Sequence, residues 1–184
     1  MISLHIQFDQ QQTARIEAQL QGIKNGAPKA MTRAINRTVT YGKTLSKKLI
    51  REEYTINAQA VTRATTTEKA RTGSLHGIIR FKGRPKQLRN FAKRNTSKGV
   101  AVAVKKGSGR TVIPRSFIRS INSGPAILRR TGTARYPIEV LHGPSVPQMA
   151  GNVNVAPRIQ TQVQKKLGER LEHEVGAILK GYVK

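Results

Sequence analysis

The 184-residue chain holds 34 Lys and Arg against 9 Asp and Glu, a formal net charge of +25, with 37% apolar and 4% aromatic residues. That is the length of one domain, or of one domain with extended arms, and with no Trp the core must be thin and aliphatic. The absence of cysteine excludes disulfides, thiol nucleophiles and Cys-based zinc sites.

From the start of the chain, Ile2, Leu4, Ile6 and Phe8 alternate with Ser3, His5 and Gln7, so residues 2–8 read as a strand with one buried face. This segment has neither the basic region nor the apolar run of a signal peptide, and no stretch approaches the ~20 apolar residues of a membrane span. A soluble protein is expected. Asp9 is placed to cap a helix in which Ile16, Leu20 and Ile23 recur at helical spacing, ending near Gly22 and Asn25-Gly26. A second helix opens at Pro28, a residue suited to a first turn, and runs to Arg51. Its stripe is Met31, Ile35, Thr38/Val39, Gly42, Leu45 and Leu49, with Lys29, Arg33, Arg37, Lys43, Lys47 and Lys48 opposite. Residues 57–64 read as a short helix with Asn57 as N-cap.

The middle of the chain is β-like. Leu75, Gly77, Ile79 and Phe81 share one parity, with His76 and Arg80 on the other. Val100, Val102 and Val104 alternate with Ala101, Ala103 and Lys105. They lead through Lys106-Gly107-Ser108-Gly109-Arg110 to Thr111-Val112-Ile113, a hairpin with a basic tip. Residues 136–141 form a last short strand, where Pro137 suggests a sheet edge. Pro144, Pro147 and Pro157 then interrupt the chain before a helix. In it Ile159, Val163, Leu167, Leu171, Val175, Ile178/Leu179 and Tyr182 keep a helical period. The sum is an α+β fold: a small antiparallel sheet with a basic hairpin, packed against two long helices near 28–51 and 156–182. It is expected as one domain over residues 1–184, with a basic segment at 83–111 that can extend from it.

The charge is uneven. Residues 74–135 carry sixteen Lys and Arg and no carboxylate, whereas residues 136–184 carry six and four. Such a block is either a solvated arm or a surface shaped against phosphates or an acidic protein. Its candidate contacts are Arg80, Lys82, Arg84, Lys86, Arg89, Lys93, Arg94 and Lys98, with Lys105, Lys106 and Arg110 at the hairpin. No Cys/His finger or aromatic stacking platform accompanies them, so they would neutralise phosphates without reading bases.

Catalytic constellations are nearly lacking. His5 and His76 fall on strands and His142 in a turn. His173 stands beside Glu174 and one turn from Glu169, but Ala177 occupies the place where a zinc-protease helix needs its second His. Gly107-Ser108-Gly109 lacks the preceding glycine and the Lys of a phosphate-binding loop and reads as a hairpin tip. The expectation is a non-enzymatic protein without metal or cofactor.

Several segments, in order, resemble the minor tail protein Z family of long-tailed phages, the tail-completion proteins. They are the helix Ala30-Met31-Thr32-Arg33-Ala34-Ile35-Asn36-Arg37, the Lys/Arg-rich middle, Val112-Ile113-Pro114-Arg115-Ser116-Phe117-Ile118, Arg135-Tyr136-Pro137-Ile138-Glu139-Val140, and Gly143-Pro144-Ser145-Val146-Pro147 before a long helix. The strand and helix over residues 2–22 depart from that pattern. The resemblance implies packing or interface roles for Asn36, Arg37, Pro114, Phe117, Arg135, Tyr136, Pro137, Pro144 and Pro147. It further implies a structural protein at the head-proximal end of the tail, where the tail is closed and joined to the head and the genome end is held. The partners implied are further copies in a hexameric ring, the tail terminator, the tail tube, the head–tail connector and, weakly, double-stranded DNA, with no membrane. The location implied is the virion, after assembly in the host cytoplasm. A heterologous ring would bury apolar faces that a thin monomer leaves open. The competing reading is a free-standing basic nucleic-acid-binding protein without sequence specificity.

Overall fold

A computed structural model describes residues 1–121 and 124–181 of the chain. The first elements are β1 (Ile2–Ile6), α1 (Gln10–Gln19), α2 (Gly26–Glu53), α3 (Ala58–Arg63), β2 (Thr65–Glu68) and β3 (Gly77–Phe81). Then come β4 (Lys86–Gln87), β5 (Ala92–Thr96), β6 (Gly99–Ala103), β7 (Thr111–Pro114), β8 (Ser116–Ile121) and β9 (Gly124–Arg130). The last are β10 (Ile138–Val140), β11 (His142–Gly143), α4 (Val146–Ala150) and α5 (Ala156–Leu179). The architecture is α+β, and the strands pair antiparallel throughout. Where one small sheet is expected from the sequence, the described residues hold four, of three, three, two and three strands. Short strands punctuated by Gly, Pro and like charges do not extend into one wide sheet.

The chain divides into two compact units: Met1–Ser46 with Thr65–Phe81 and Ala156–Lys184, and Lys47–Ala64 with Lys82–Val155. In the first, β3 is the centre of the sheet β1-β3-β2, and Ile78 and Ile79, which point to opposite faces, are both buried. That is why its hydrophobic run is continuous rather than alternating. Two glycines set how closely the layers approach. A Cβ on Gly77 would collide with the Val39 and Ile35 side chains, and one on Gly42 would lie 2.7 Å from Ile79 Cδ1 and 3.2 Å from Val163 Cγ2. The α2 stripe from Met31 through Ile35 and Val39 to Leu45 is buried, as are Ile159, Val163, Leu167, Val175 and Ile178 of α5. Tyr182 lies outside the described residues.

Asp9 caps α1 through a reciprocal box. Its Oδ1 accepts the Gln12 N–H at 2.7 Å, and Gln12 Oε1 accepts the Asp9 N–H at 3.3 Å. Ile16 and Leu20 then pack with Ala27, Ala30, Met31, Val175 and Ile178. Ile23, counted in the same stripe from the sequence, is 40% exposed because it falls in the turn after α1.

In the second unit the sheets are β5-β6-β7, β8-β9-β10 and β4-β11. Asn57 caps α3 by accepting the Gln59 N–H at 2.8 Å, and Ser145 opens α4 with a capping box to Gln148. Thr55 ties the start of β5 to the end of β6. Its N–H donates to Val104 O at 3.0 Å, its hydroxyl donates to Ala103 O, and the same oxygen accepts the Ala92 N–H at 3.1 Å.

Candidate functional site

The cations of the basic block divide between the units. Arg80 sits on β3 in the first unit opposite Thr66 of β2 and pairs with Glu68, two residues further along β2 on the same face. The other ten of the named cations belong to the second unit, which holds nineteen Lys and Arg against three carboxylates. All three carboxylates have partners already. Glu52 faces Lys48 at 4.0 Å, Glu53 faces Lys105 at 3.8 Å, and Glu139 Oε1 accepts from Arg129 Nε at 2.8 Å across β10–β9. The remaining positive charge has no counter-charge within its own unit.

Within that set the positions differ in chemistry. Lys82, Arg84, Arg94, Lys98, Lys106 and Arg110 are exposed and have no ion pair among the described residues. Lys86 and Arg89 are half-buried. Arg89 reaches Pro125 O at 3.2 Å and Lys93 Nζ reaches Arg89 O at 3.0 Å, so both also stitch backbone. Lys105 is tied to the end of α2: besides Glu53, its Nζ lies 5.9 Å from the centre of the Tyr54 ring. Burial pushes the Tyr54 phenol up from its ordinary value, the Glu53 charge adds to the rise, and a hydrogen bond with Asn152 opposes it.

The β6 and β7 strands pair from Gly99↔Pro114 to Val102↔Thr111, and residues 104–110 connect them. At the opposite end of this pair, the chain turns from β7 into β8 over a single residue, Arg115, whose φ is +58°. Gly99 has φ +137°, and a Cβ there would strike Ile113 O. Only glycine allows that approach. Ser116, buried at the corner, accepts the Val100 N–H at 2.9 Å and donates to Ile113 O at 2.6 Å. Arg130 N–H donates to Arg115 O at 3.4 Å. Lys98, Arg115 and Arg130, all exposed, therefore lie beside this corner. Sequence reasoning missed Arg115, Arg119, Arg129 and Arg130 as surface cations. The acid-free run extending past Arg110 was the available signal.

The family-like residues divide between contacts inside one unit and exposed positions. Asn36 Nδ2 donates to Ala70 O at 3.0 Å and Arg37 Nε meets Glu174 Oε1 at 3.1 Å, which fixes α2 to its neighbours in the first unit. Phe117 is half-buried under Arg130, whose guanidinium carbon is 5.2 Å from the ring centre. Pro114 is exposed at the end of β7, Arg135 lies 5.7 Å from the Tyr136 ring, and Tyr136 is 65% exposed ahead of a cis bond to Pro137. Pro144 O accepts the Lys86 N–H at 3.4 Å, and Pro147 is buried in the first turn of α4.

The histidines do not converge. His5, His76, His142 and His173 are all exposed, on β1, ahead of β3, on β11 and on α5. Among the described residues no group of three His, Asp or Glu side chains could hold a metal ion, and no helix is long and apolar enough to cross a membrane. The surface is equipped to attract anionic partners by charge, with fixed backbone geometry behind it.

Comparisons with curated proteins and with solved structures give no match. Residues 13–184 match the family model described as prophage minor tail protein Z (GPZ). With all but the first twelve residues so covered, the chain belongs to the prophage minor tail protein Z family and is a structural protein of a phage tail, located in the virion.

Proposed function

We propose that this minor tail protein is a non-enzymatic tail-completion component at the head-proximal end of the tail. There it helps close the tail, join it to the head and position the genome end. It works as a homo-oligomeric ring, hexameric in form, between tail terminator and tail tube on one side and the head–tail connector on the other. The observation that carries this reading is the charge imbalance of the second unit: three carboxylates, all engaged, against nineteen cations. A surface of that kind needs an anionic neighbour, either phosphate or acidic protein, to lower its self-repulsion. Lys82, Arg84, Arg94, Lys98, Lys106 and Arg110, exposed and without ion pairs among the described residues, are the side chains suited to face it. Contact with duplex DNA through them would be non-specific and salt-sensitive, with a log–log slope of about −0.9 per phosphate neutralised. Weak contact suits a channel through which the genome must later pass.

The experiment is disruption of the gene in the phage, followed by electron microscopy and plaque assay. The expected result is heads and tails that are made but do not yield infectious particles, rescued by the gene supplied in trans. Normal titre and normal particles without the protein would overturn the proposal.

A further inference from the structure

β1 pairs with β3 along one side, from Ile2↔Phe81 to Ile6↔Gly77, and is the outer strand of its sheet. On its other side the backbone groups of Ile2–Ile6 make no hydrogen bond among the described residues. Exposed strand edges are normally guarded by charge, proline or a bulge, because they template pairing with other chains. This protein guards its other edges of three or more residues in that way. β2 carries Glu68, β5 carries Lys93 and Arg94, β7 ends in Pro114, β8 carries Arg119 and β10 carries Glu139. β1, with the sequence Ile-Ser-Leu-His-Ile, has no Asp, Glu, Lys, Arg or proline, and its pairing with β3 runs without a bulge. In a chain of net charge +25, residues 1–8 contain no Lys, Arg, Asp or Glu.

Beside that edge lies a trough whose lining includes Leu4, His5 and Ile6 of β1 and Gln160, Gln164 and Lys165 of α5. Leu4 and Ile6 make part of it apolar, the two glutamines offer amide groups, and Lys165 supplies a positive charge with no carboxylate in the lining. We propose that this edge is a strand-addition site for an extended segment of a partner protein in which apolar residues alternate with Asp or Glu. Backbone hydrogen bonds to β1 would supply affinity, and side chains at alternate positions would supply selectivity. Charge complementarity decides the occupant: Lys165 and the +25 chain attract an acidic segment, whereas a second copy brings an equal charge of the same sign. β1 lies outside residues 13–184, the part matched to the family, whereas the α5 residues of the trough lie within it.

The test uses the full chain and a blocked ten-residue peptide alternating Val and Glu. Its controls are the same peptide with two central prolines and a Val/Lys counterpart. Amide hydrogen exchange is read at Ile2–Ile6. The Val/Glu peptide should slow exchange there at least about tenfold, and the controls should not. Ser3→Glu combined with His5→Glu should weaken binding about tenfold or more by like-charge repulsion. Should that variant fail to fold, the exchange data on the unaltered chain decide alone. No protection at β1, or equal protection by the proline peptide, would overturn the proposal and assign any binding to general attraction by the basic surface. Protection that grows with protein concentration alone would overturn it in favour of a second copy. Tail position is read by other means and stands or falls separately.

Discussion

Arg37 on α2 and Glu174 on α5 meet at 3.1 Å, although one side chain is 63% exposed and the other 4%. Glu174 is the one charged residue buried among the described residues, and Arg170 Nη2 approaches the same oxygen at 2.7 Å. The carboxylate is therefore held by two guanidinium groups, one partly sheltered and one in water. Glu174→Gln should cost about 3 kcal/mol of stability, since it leaves the sheltered Arg170 without its counter-charge. Arg37→Ala should cost under about 1 kcal/mol, because its charge is largely solvated and Arg170 still holds the carboxylate. Urea unfolding of both variants checks the order, and a larger loss for Arg37→Ala would contradict it.

The corner at Gly99 and Ser116 should be the most sensitive point of the second unit. Gly99→Ala places a methyl against Ile113 O in a backbone region that side chains avoid, and should cost at least about 2 kcal/mol. Ser116→Ala leaves the Val100 N–H and Ile113 C=O without their shared hydroxyl, at about 1–3 kcal/mol. Gly107→Ala is the control. Its φ of +91° is also left-handed, but the space around it is open, so about 1 kcal/mol is expected. Thermal unfolding of the three variants should rank Gly107→Ala mildest.

The legible parts of the fold were those with a long period. α2 and α5 repeat an apolar residue every turn for many turns, and β6 alternates cleanly enough that its pairing with β7 could be expected. β5 was not legible: Ala92-Lys93-Arg94-Asn95-Thr96 is an edge strand supported by β6, and its own residues carry no apolar alternation. β9 hides for the opposite reason, as Ala126, Ile127 and Leu128 are all buried and a continuous apolar run has no period of two. α4, five residues opened by Ser145 and Pro147, is too short to show any period. At the candidate site, charge counting gathered Arg80 with the hairpin cations. Strand pairing instead gives it Glu68 as a partner, which nothing in the linear sequence indicates.

Charge should matter more than residue identity on the exposed cations of the second unit. Lys98→Arg and Lys106→Arg should complement a gene-deleted phage fully. Lys98→Glu with Lys106→Glu should lower titre about tenfold or more, by setting like charge against an anionic neighbour. Lys105 is a poor probe, because a carboxylate there would face Glu53, its present partner at 3.8 Å, and disturb the end of α2. Full titre from the double Glu variant would remove the basic surface from assembly.

Tyr54 supplies a pH signature. Its phenol titrates above the ordinary value of about 10, mainly because burial disfavours the phenolate and Glu53 repels it. A raised pKa in the folded state gives stability that is complete below the unfolded value and is lost as pH rises through the folded one. Stability should therefore fall above about pH 10, and Tyr54→Phe should remove part of that fall. Denaturant unfolding at successive pH values checks it, and identical slopes for the two proteins would contradict it.

Where in the particle the protein sits separates a head-proximal role from one along the tube or at the distal tip. Gold-labelled antibody against the protein, imaged on intact particles and on purified tails, tests it most directly. Label at the junction of tail and head, and at the corresponding end of free tails, is the expected result; label along the tube or at the distal tip would contradict it.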